Sequence, residues 1–262
     1  MSCFRMLFRY RRLIASLVWL DFKVRYAGSR FGLLWMLLAP ALVFGSYLLV
    51  FGGILHVQHN PGWNGMQYAF LVASGLLPWI GFSQGLTGGT GSVLAQRNLM
   101  KSHVFPVELL PVTAVCSGMV GQLCSMGLLV LALWVAGVAG PGLLVLPLLL
   151  VIQVLFTVSL VWFLSCVNVL YRDLSQILSL LTVLLMFVSP IAYTSDMVPA
   201  GLELVVKMNP LSYLIDWYRD SLLFNRLPDL WGLAAFALLT LAAMQMAYGY
   251  FMRLRKVLPD LT

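Results

Sequence analysis

Two long stretches of this chain contain no charged side chain. Between Arg30 and Arg97 lie 66 residues without Asp, Glu, Lys or Arg, and between Glu108 and Arg172 lie 63. Asp173 to Asp196 encloses 22 more, and Asp229 to Arg253 another 23. A soluble domain is about one quarter charged, whereas this chain is 10% charged and 61% hydrophobic. It cannot cover itself with polar side chains, so its solvent is lipid. Backbone groups in hydrocarbon must bond within their own segment, which leaves helices or a closed barrel. A barrel would alternate apolar and polar residues, so the continuous apolar runs select helices.

A membrane helix needs about 20 apolar residues. The last two blocks therefore hold one span each. The first two hold two apiece, joined by neutral turns at 56–65, with Asn60-Pro61-Gly62, and at 137–142, with Gly140-Pro141-Gly142. The expectation is an all-α integral membrane fold with six transmembrane helices near 31–55, 66–95, 109–136, 143–170, 177–193 and 230–252. With the N-terminus inside, thirteen of the sixteen Lys and Arg residues fall on the inner side; only Lys207, Arg219 and Arg226 fall outside. Excess Lys and Arg marks cytoplasmic loops, so both termini are expected in the cytoplasm. The net charge of +7 reflects this topology and contact with anionic lipid rather than nucleic acid, because no basic stripe is interleaved with aromatics.

The N-terminus matches a signal peptide only in part. Arg5, Arg9, Arg11 and Arg12 precede the apolar run 13–20, but Asp21, Lys23 and Arg25 follow at once without a small-residue cleavage site, so the segment is expected to be retained. Leu13, Leu17, Leu20 and Val24 fall on one helical stripe, with Arg12, Ser16 and Lys23 roughly opposite. That pattern reads either as a helix lying in the cytoplasmic interface or as a basic retention signal. Residues 96–106 form a short polar inner segment, either a solvated loop or a handle for a soluble partner. On the outer side, Asn209-Pro210 fits an N-cap followed by proline at the first helical position. Leu211, Leu214, Ile215, Tyr218 and Leu222 follow at helical spacing, with Asp216, Arg219 and Asp220 on other faces. Charges are costly in hydrocarbon, so two short helices, 199–208 and 210–223, are expected at the outer rim or dipping partway in.

Several chemistries find no support in the sequence. The glycine-rich run 85–91 lacks the lysine of a phosphate-binding loop and sits inside an apolar block. It reads as close helix packing or as a polar channel wall. Cys3, Cys116, Cys124 and Cys166 have neither metal nor redox spacing, so no metal site is expected. The spans hold none of the ionisable residues from which proton relays and ion-coupled carriers are built, and no inverted repeat is visible. Catalytic residues are not expected, and energy for uphill transport would enter from a partner. Trp35, Phe44, Tyr47, Phe70, Trp79, Phe82 and Ser189 are candidates for a channel wall able to pass a hydroxyl-rich polymer. Aromatic girdles and helix packing explain the same residues.

Several motifs resemble the ABC type-2 permeases that export polysaccharides. They are the run 25–35 (Arg-Tyr-Ala-Gly-Ser-Arg-Phe-Gly-Leu-Leu-Trp) with Pro40; Asn98-Leu99, Lys101, Phe105-Pro106, Glu108 and Leu110-Pro111; Asn168-Val169-Leu170-Tyr171-Arg172-Asp173; Ser189-Pro190-Ile191-Ala192-Tyr193; and Asn209-Pro210-Leu211. The likeness runs in order through nearly the whole chain and is nearest to exporters of O-antigen and wall teichoic acid. It implies a homodimer bound to two cytoplasmic ATPase subunits, in a bacterial inner membrane, moving an undecaprenyl-pyrophosphate-linked polysaccharide. ATP and Mg are used by the partner subunit, and this chain is not an enzyme. The implied division is a cytoplasmic N-terminus with its interfacial helix (1–30), a membrane domain (31–252) and a cytoplasmic tail (253–262). Residues 96–104 would be the coupling helix, through Gln96, Arg97, Asn98, Leu99, Lys101 and His103. Residues 199–223 would be outer gate helices, with Asn209, Asp216 and Arg219 as their polar residues, and the first and fifth spans would line the channel. Lys23, Arg25 and Arg30 stand where a lipid pyrophosphate would come in from the inner leaflet; guanidinium binds phosphate bidentately, and plain positive-inside anchoring explains the same charges. Export of teichoic acid, capsule polymer, lipid or drug is the alternative. Drug and lipid permeases usually carry a larger outer domain between the first two spans than the roughly ten-residue turn seen here.

Overall fold

The computed structural model describes residues 3–26, 28–47, 49–50, 65–96, 105–194, 197–199 and 201–255, and is all-helical over them. The helices are α1 (Cys3–Arg9), α2 (Arg11–Tyr26), α3 (Trp35–Tyr47), α4 (Gly65–Ala95), α5 (Leu109–Val135), α6 (Leu146–Leu170), α7 (Leu174–Val188), α8 (Glu203–Met208), α9 (Pro210–Arg219) and α10 (Leu230–Leu254). Short 3-10 turns precede α3 and α6, and a π turn, Asp220–Phe224, continues α9.

Among the described residues, four helical stretches are long and apolar enough to cross a membrane: α4, α5, Pro141–Leu170 and α10. At about 1.5 Å per residue each exceeds the roughly 30 Å hydrocarbon core. Their bounds fall within a few residues of the charge-defined blocks, because charges end the apolar runs. The expected spans 31–55 and 177–193 differ. Over the described residues the first is α3, a 13-residue helix. The fifth is α7, a 15-residue helix that ends at Val188, and the chain from Ser189 to Thr194 is non-helical. Pro190 cannot donate a backbone bond, and the residue before a proline disfavours helix, so α7 stops there.

Hydrogen bonds sort the helix ends into two groups. At one end the side chain of Arg255, after α10, meets Glu108, before α5, at 3.1 Å, and Asn168 near the end of α6 donates to Thr90 O near the end of α4. At the opposite end Tyr68, near the start of α4, donates to Ala192 O, and the Gly142 N–H donates to Asn225 Oδ1 at 2.8 Å. The described helices therefore run alternately up and down, as short connections demand.

The core sits where α4, α5, α6, α9 and α10 meet, around the fully buried Trp162 and Tyr218. Lipid gives no hydrophobic drive between helices, so close approach of small residues matters. Helix α4 packs most extensively on α5, and a Cβ placed on Gly118 would lie 2.7 Å from the Gly85 nitrogen. Gly89 likewise meets Val161, while Gly88 and Gly91 face open space. Close packing is therefore the role the structure gives to Gly85 and Gly89.

Helix α2 lies against α5, with a stripe shifted from the expected one. Leu13, Ile14, Leu17, Val18 and Phe22 turn inward, whereas Leu20 and Val24 are exposed.

Replacing Gly118 with valine should overpack the α4–α5 crossing by about 1–3 kcal/mol and reduce the folded peak in size-exclusion chromatography after heating. The control, Gly88→Ala, should be neutral or stabilising by up to about 1 kcal/mol.

Candidate functional site

At the end that holds Glu108 and Asn168, three polar residues staple the helices. Glu108 is buried and pairs with Arg255; its backbone carbonyl accepts from Trp162 Nε1 at 3.0 Å. Asn168 is fully buried; its Oδ1 accepts from the Ser175 N–H at 3.1 Å and the Ser175 hydroxyl at 2.8 Å, while its amide reaches α4. Asn168 thus joins α4, α6 and the first turn of α7. Gln96, the first residue of the expected coupling helix, lines a cavity of about 300 Å³ with Leu17, Asp21 and Leu110, between α2 and α5. Arg97, Asn98, Leu99, Lys101 and His103 lie outside the described residues.

Lys23 is exposed on α2, its ammonium 5.5 Å from the Trp19 ring. Arg30 is exposed in the turn after α2. Arg25 falls within α2, and its side chain lies outside the described residues. Trp35 opens α3, donates to Ser29 Oγ at 3.0 Å and meets Phe31 edge-on. These bonds explain the Ser29, Phe31 and Trp35 spacing as a local turn.

The opposite end is organised by the break after α7. Tyr193 donates its phenol back to Val188 O at 2.6 Å and Phe187 O at 3.3 Å, closing the helix terminus. Arg219, at the end of α9, is only 2% exposed. Its Nη2 donates to Pro190 O at 2.8 Å and Ile191 O at 3.1 Å, and its Nη1 to Tyr193 O at 3.3 Å. Asp216 lies 3.5 Å from the same guanidinium. Burial pushes the guanidinium below its ordinary range while Asp216 and Asp220 pull it back up. Burial, with Asp216 beside it, raises the carboxyl of Asp220. On the rim, Lys207 and Glu203 pair at 2.7 Å, which holds the carboxyl of Glu203 low and the ammonium of Lys207 high. Asn209 caps α9 by accepting from the Leu211 N–H, and donates to Ser189 Oγ at 2.9 Å. Gly75 on α4 admits the broken segment: a Cβ there would lie 3.2 Å from Ile191 Cα and 3.3 Å from Arg219 Nη2.

Arg219 is therefore not a solvent-facing charge on an amphipathic helix, as its spacing suggested. It is an internal donor to unpaired carbonyls. Leu211, Leu214, Ile215, Tyr218 and Leu222 are all buried, as the stripe required.

The channel candidates do not converge. Phe82 is buried and stacks on Phe156 at 5.8 Å between centroids, and Ser189 is buried on Asn209; within the protomer both are packing residues. Phe44 and Phe70 line an apolar cavity of about 280 Å³ between α3, α4 and α5. Trp79 is half-buried, and its ring N–H has no partner among the described residues. Trp35 is exposed, and the side chain of Tyr47 lies outside the described residues.

A buried network escaped the sequence reading. Gln122 of α5 and Gln153 of α6 pair through their amides at 2.9 Å; Gln153 also donates to Pro78 O at 2.9 Å and accepts from Tyr218 OH at 2.8 Å. The signal was present: single glutamines in the middle of apolar spans must find partners.

Comparison with known proteins gives a consistent answer. The ABC-2 type transporter family profile matches residues 12–223. The O-antigen export system permease protein RfbA of Myxococcus xanthus is 32% identical over 251 residues, 94% of each chain. The protein of the same name from Klebsiella pneumoniae is 32% identical over 202 residues, 76% of each chain. The polysialic acid transport protein KpsM of Escherichia coli is 24% identical over 233 residues, 84% of this chain and 86% of its own length. With most of its length inside the family profile and nearly full-length relatives at this identity, the chain belongs to the ABC-2 type transporter family of membrane permeases.

Proposed function

We propose that this chain is the membrane subunit of an ATP-driven exporter that moves a lipid-linked polysaccharide, O-antigen before other polymers, from the cytoplasm across the bacterial inner membrane. The observation that carries this reading is the alignment over 94% of both chains with an O-antigen export permease. The likeness to the polysialic acid transport protein favours a capsule polymer as the second reading.

In this reading two copies form the channel, and two cytoplasmic ATPase subunits bind ATP and Mg and supply the energy. Residues 96–104 seat in the ATPase, next to α2 and the stapled end around Glu108. Lys23, Arg25 and Arg30 meet the lipid pyrophosphate at the inner leaflet. The chain crosses six times with both termini inside. Helix α7 completes the fifth crossing through the 189–194 segment, and α8 and α9 dip into the outer leaflet as gate helices. The gate role is supported by Arg219 and Asn209, which tie α9 to the end of α7; the orientation is supported by thirteen of sixteen cationic residues falling on the inner side of this layout.

A clean deletion should abolish surface polymer, scored by gel electrophoresis of envelope lipopolysaccharide; a normal polymer ladder sinks the export reading. Arg25→Ala combined with Arg30→Ala should reduce export severalfold while the complex with the ATPase still co-purifies. If export and ATPase stimulation both survive, the pyrophosphate role is wrong. Arg219→Met leaves the break carbonyls without a donor, at a cost of about 1–3 kcal/mol each. It should lower the thermal midpoint in detergent and impair export. Arg219→Lys should restore only part of both, because a compact ammonium cannot span three carbonyls.

A further inference from the structure

The outer ends of α8 and α9 enclose a cleft of about 470 Å³, within the range of small-ligand pockets, roughly 300–1,000 Å³. It is lined by Glu203, Val206, Lys207, Ser212, Tyr213 and Asp216. We propose that this cleft is a glycan subsite, holding a neutral sugar unit of the exported chain as it leaves the outer face. This inference rests on the export reading and names a place on the protein where the polymer is held.

Four observations select that ligand. First, Ser212 is 4% exposed and lines the cleft, and its hydroxyl has no hydrogen-bond partner among the described residues. A buried hydroxyl without a partner is costly, and a turn about the Ser212 Cα–Cβ bond would bring it to the cleft, where a ligand hydroxyl satisfies it. Second, the charges in the cleft are matched. Lys207 pairs with Glu203 at 2.7 Å, and Asp216 lies 3.5 Å from the Arg219 guanidinium. A phosphate or pyrophosphate would find its one lining cation, Lys207, already held by a carboxylate and a second carboxylate opposite. The lipid carrier's charged group does not belong here. Third, Tyr213 is 45% exposed and offers a flat aromatic face, and Val206 adds an apolar floor. A sugar ring presents C–H patches to such a surface and hydroxyls to its rim. Fourth, carboxylates accept and the ammonium donates, so a polyol can use both kinds of group at once.

The test uses the purified permease–ATPase complex in lipid nanodiscs. The probe is the host's own O-polysaccharide, freed of lipid by mild acid, and binding is read by saturation-transfer NMR. Wild type should bind, with the sugar C–H protons nearest the protein saturated. Ser212→Ala, which removes the hydroxyl without adding bulk at a buried position, and Tyr213→Ala should each weaken binding at least tenfold, while the complex elutes at the wild-type position. If Tyr213→Ala fails to assemble, Ser212→Ala alone carries the same expectation. The subsite is overturned if wild type does not bind the free polymer, if both variants bind it unchanged, or if phosphatidylglycerol in the nanodisc displaces it, which would make the cleft a headgroup site. Failure of the underlying reading looks different: surface polymer would then survive deletion of the gene. Loss of polymer on deletion, together with unchanged binding in both variants, removes only the subsite.

Discussion

Hydrocarbon offers no hydrogen-bond partner, so each backbone group released from a helix costs several kcal/mol unless protein satisfies it. The half of this bundle that holds the end of α7 is arranged around that constraint. The chain leaves helical geometry at Ser189, and the polar groups freed there are taken up by side chains from three elements. Tyr193 closes the carbonyls of Phe187 and Val188, Arg219 takes those of Pro190, Ile191 and Tyr193, Tyr68 takes that of Ala192, and Asn209 holds the Ser189 hydroxyl. The requirement for several donors in a fixed fork explains why an arginine is buried here: guanidinium has five N–H groups in a rigid plane. Its positive charge is tolerated because Asp216 stands beside it and the carbonyl dipoles point at it. Gly75 follows from the same constraint, since a side chain on α4 would push the break away from its donors.

Elsewhere the bundle is held by polar staples at separate levels along its length. Glu108 with Arg255, and Asn168 with Thr90 and Ser175, fix one end; Gln122, Gln153 and Tyr218 join α5, α6 and α9 further along. Because lipid does not drive helices together, these bonds and the glycine contacts specify the register. Helix α7 differs from its neighbours. Among the described residues, side-chain hydrogen bonds join it to the rest of the protein at its ends, through Ser175 at the start and the break at the finish. Its apolar face with Ile177, Leu180, Leu184 and Phe187 is exposed.

Much of this was legible in the sequence, for a simple reason. Charges are excluded from hydrocarbon, so the long spans end where charges begin: the predicted 109–136 and 230–252 became Leu109–Val135 and Leu230–Leu254. Asn209-Pro210 was readable because capping is a local chemical requirement, and the structure has the cap. What could not be read depends on distant partners. Arg219 looked like a surface charge because its carbonyl partners lie 26 to 29 residues earlier in the chain. In the fifth block hydropathy does not separate a helix from a buried irregular segment, so the expected span 177–193 runs past Pro190, the one local stop signal there. Phe82 and Ser189 are channel candidates by composition, and their burial within the protomer is something composition does not reveal. In α2 the inward stripe moved to include Ile14, Val18 and Phe22, because the surface it covers is α5 as well as lipid.

The length of α7 bears on how such a subunit can work. Fifteen residues span about 22 Å, short of the roughly 30 Å core. Under the six-crossing reading, the 189–194 segment must complete the passage, which places irregular backbone at membrane depth. That is permitted only inside protein, and Ser189, Pro190, Ile191 and Ala192 are all buried. A strut hydrogen-bonded at its two ends would pass displacement from one end to the other without breaking side-chain bonds along the way. Under that reading, motion at the Asn168–Ser175 staple would reach Arg219 and the helices α8 and α9 through a rigid helix. This is the kind of small shift that packed, bistable interfaces amplify. It needs no charged relay in the spans, consistent with energy arriving from outside the chain.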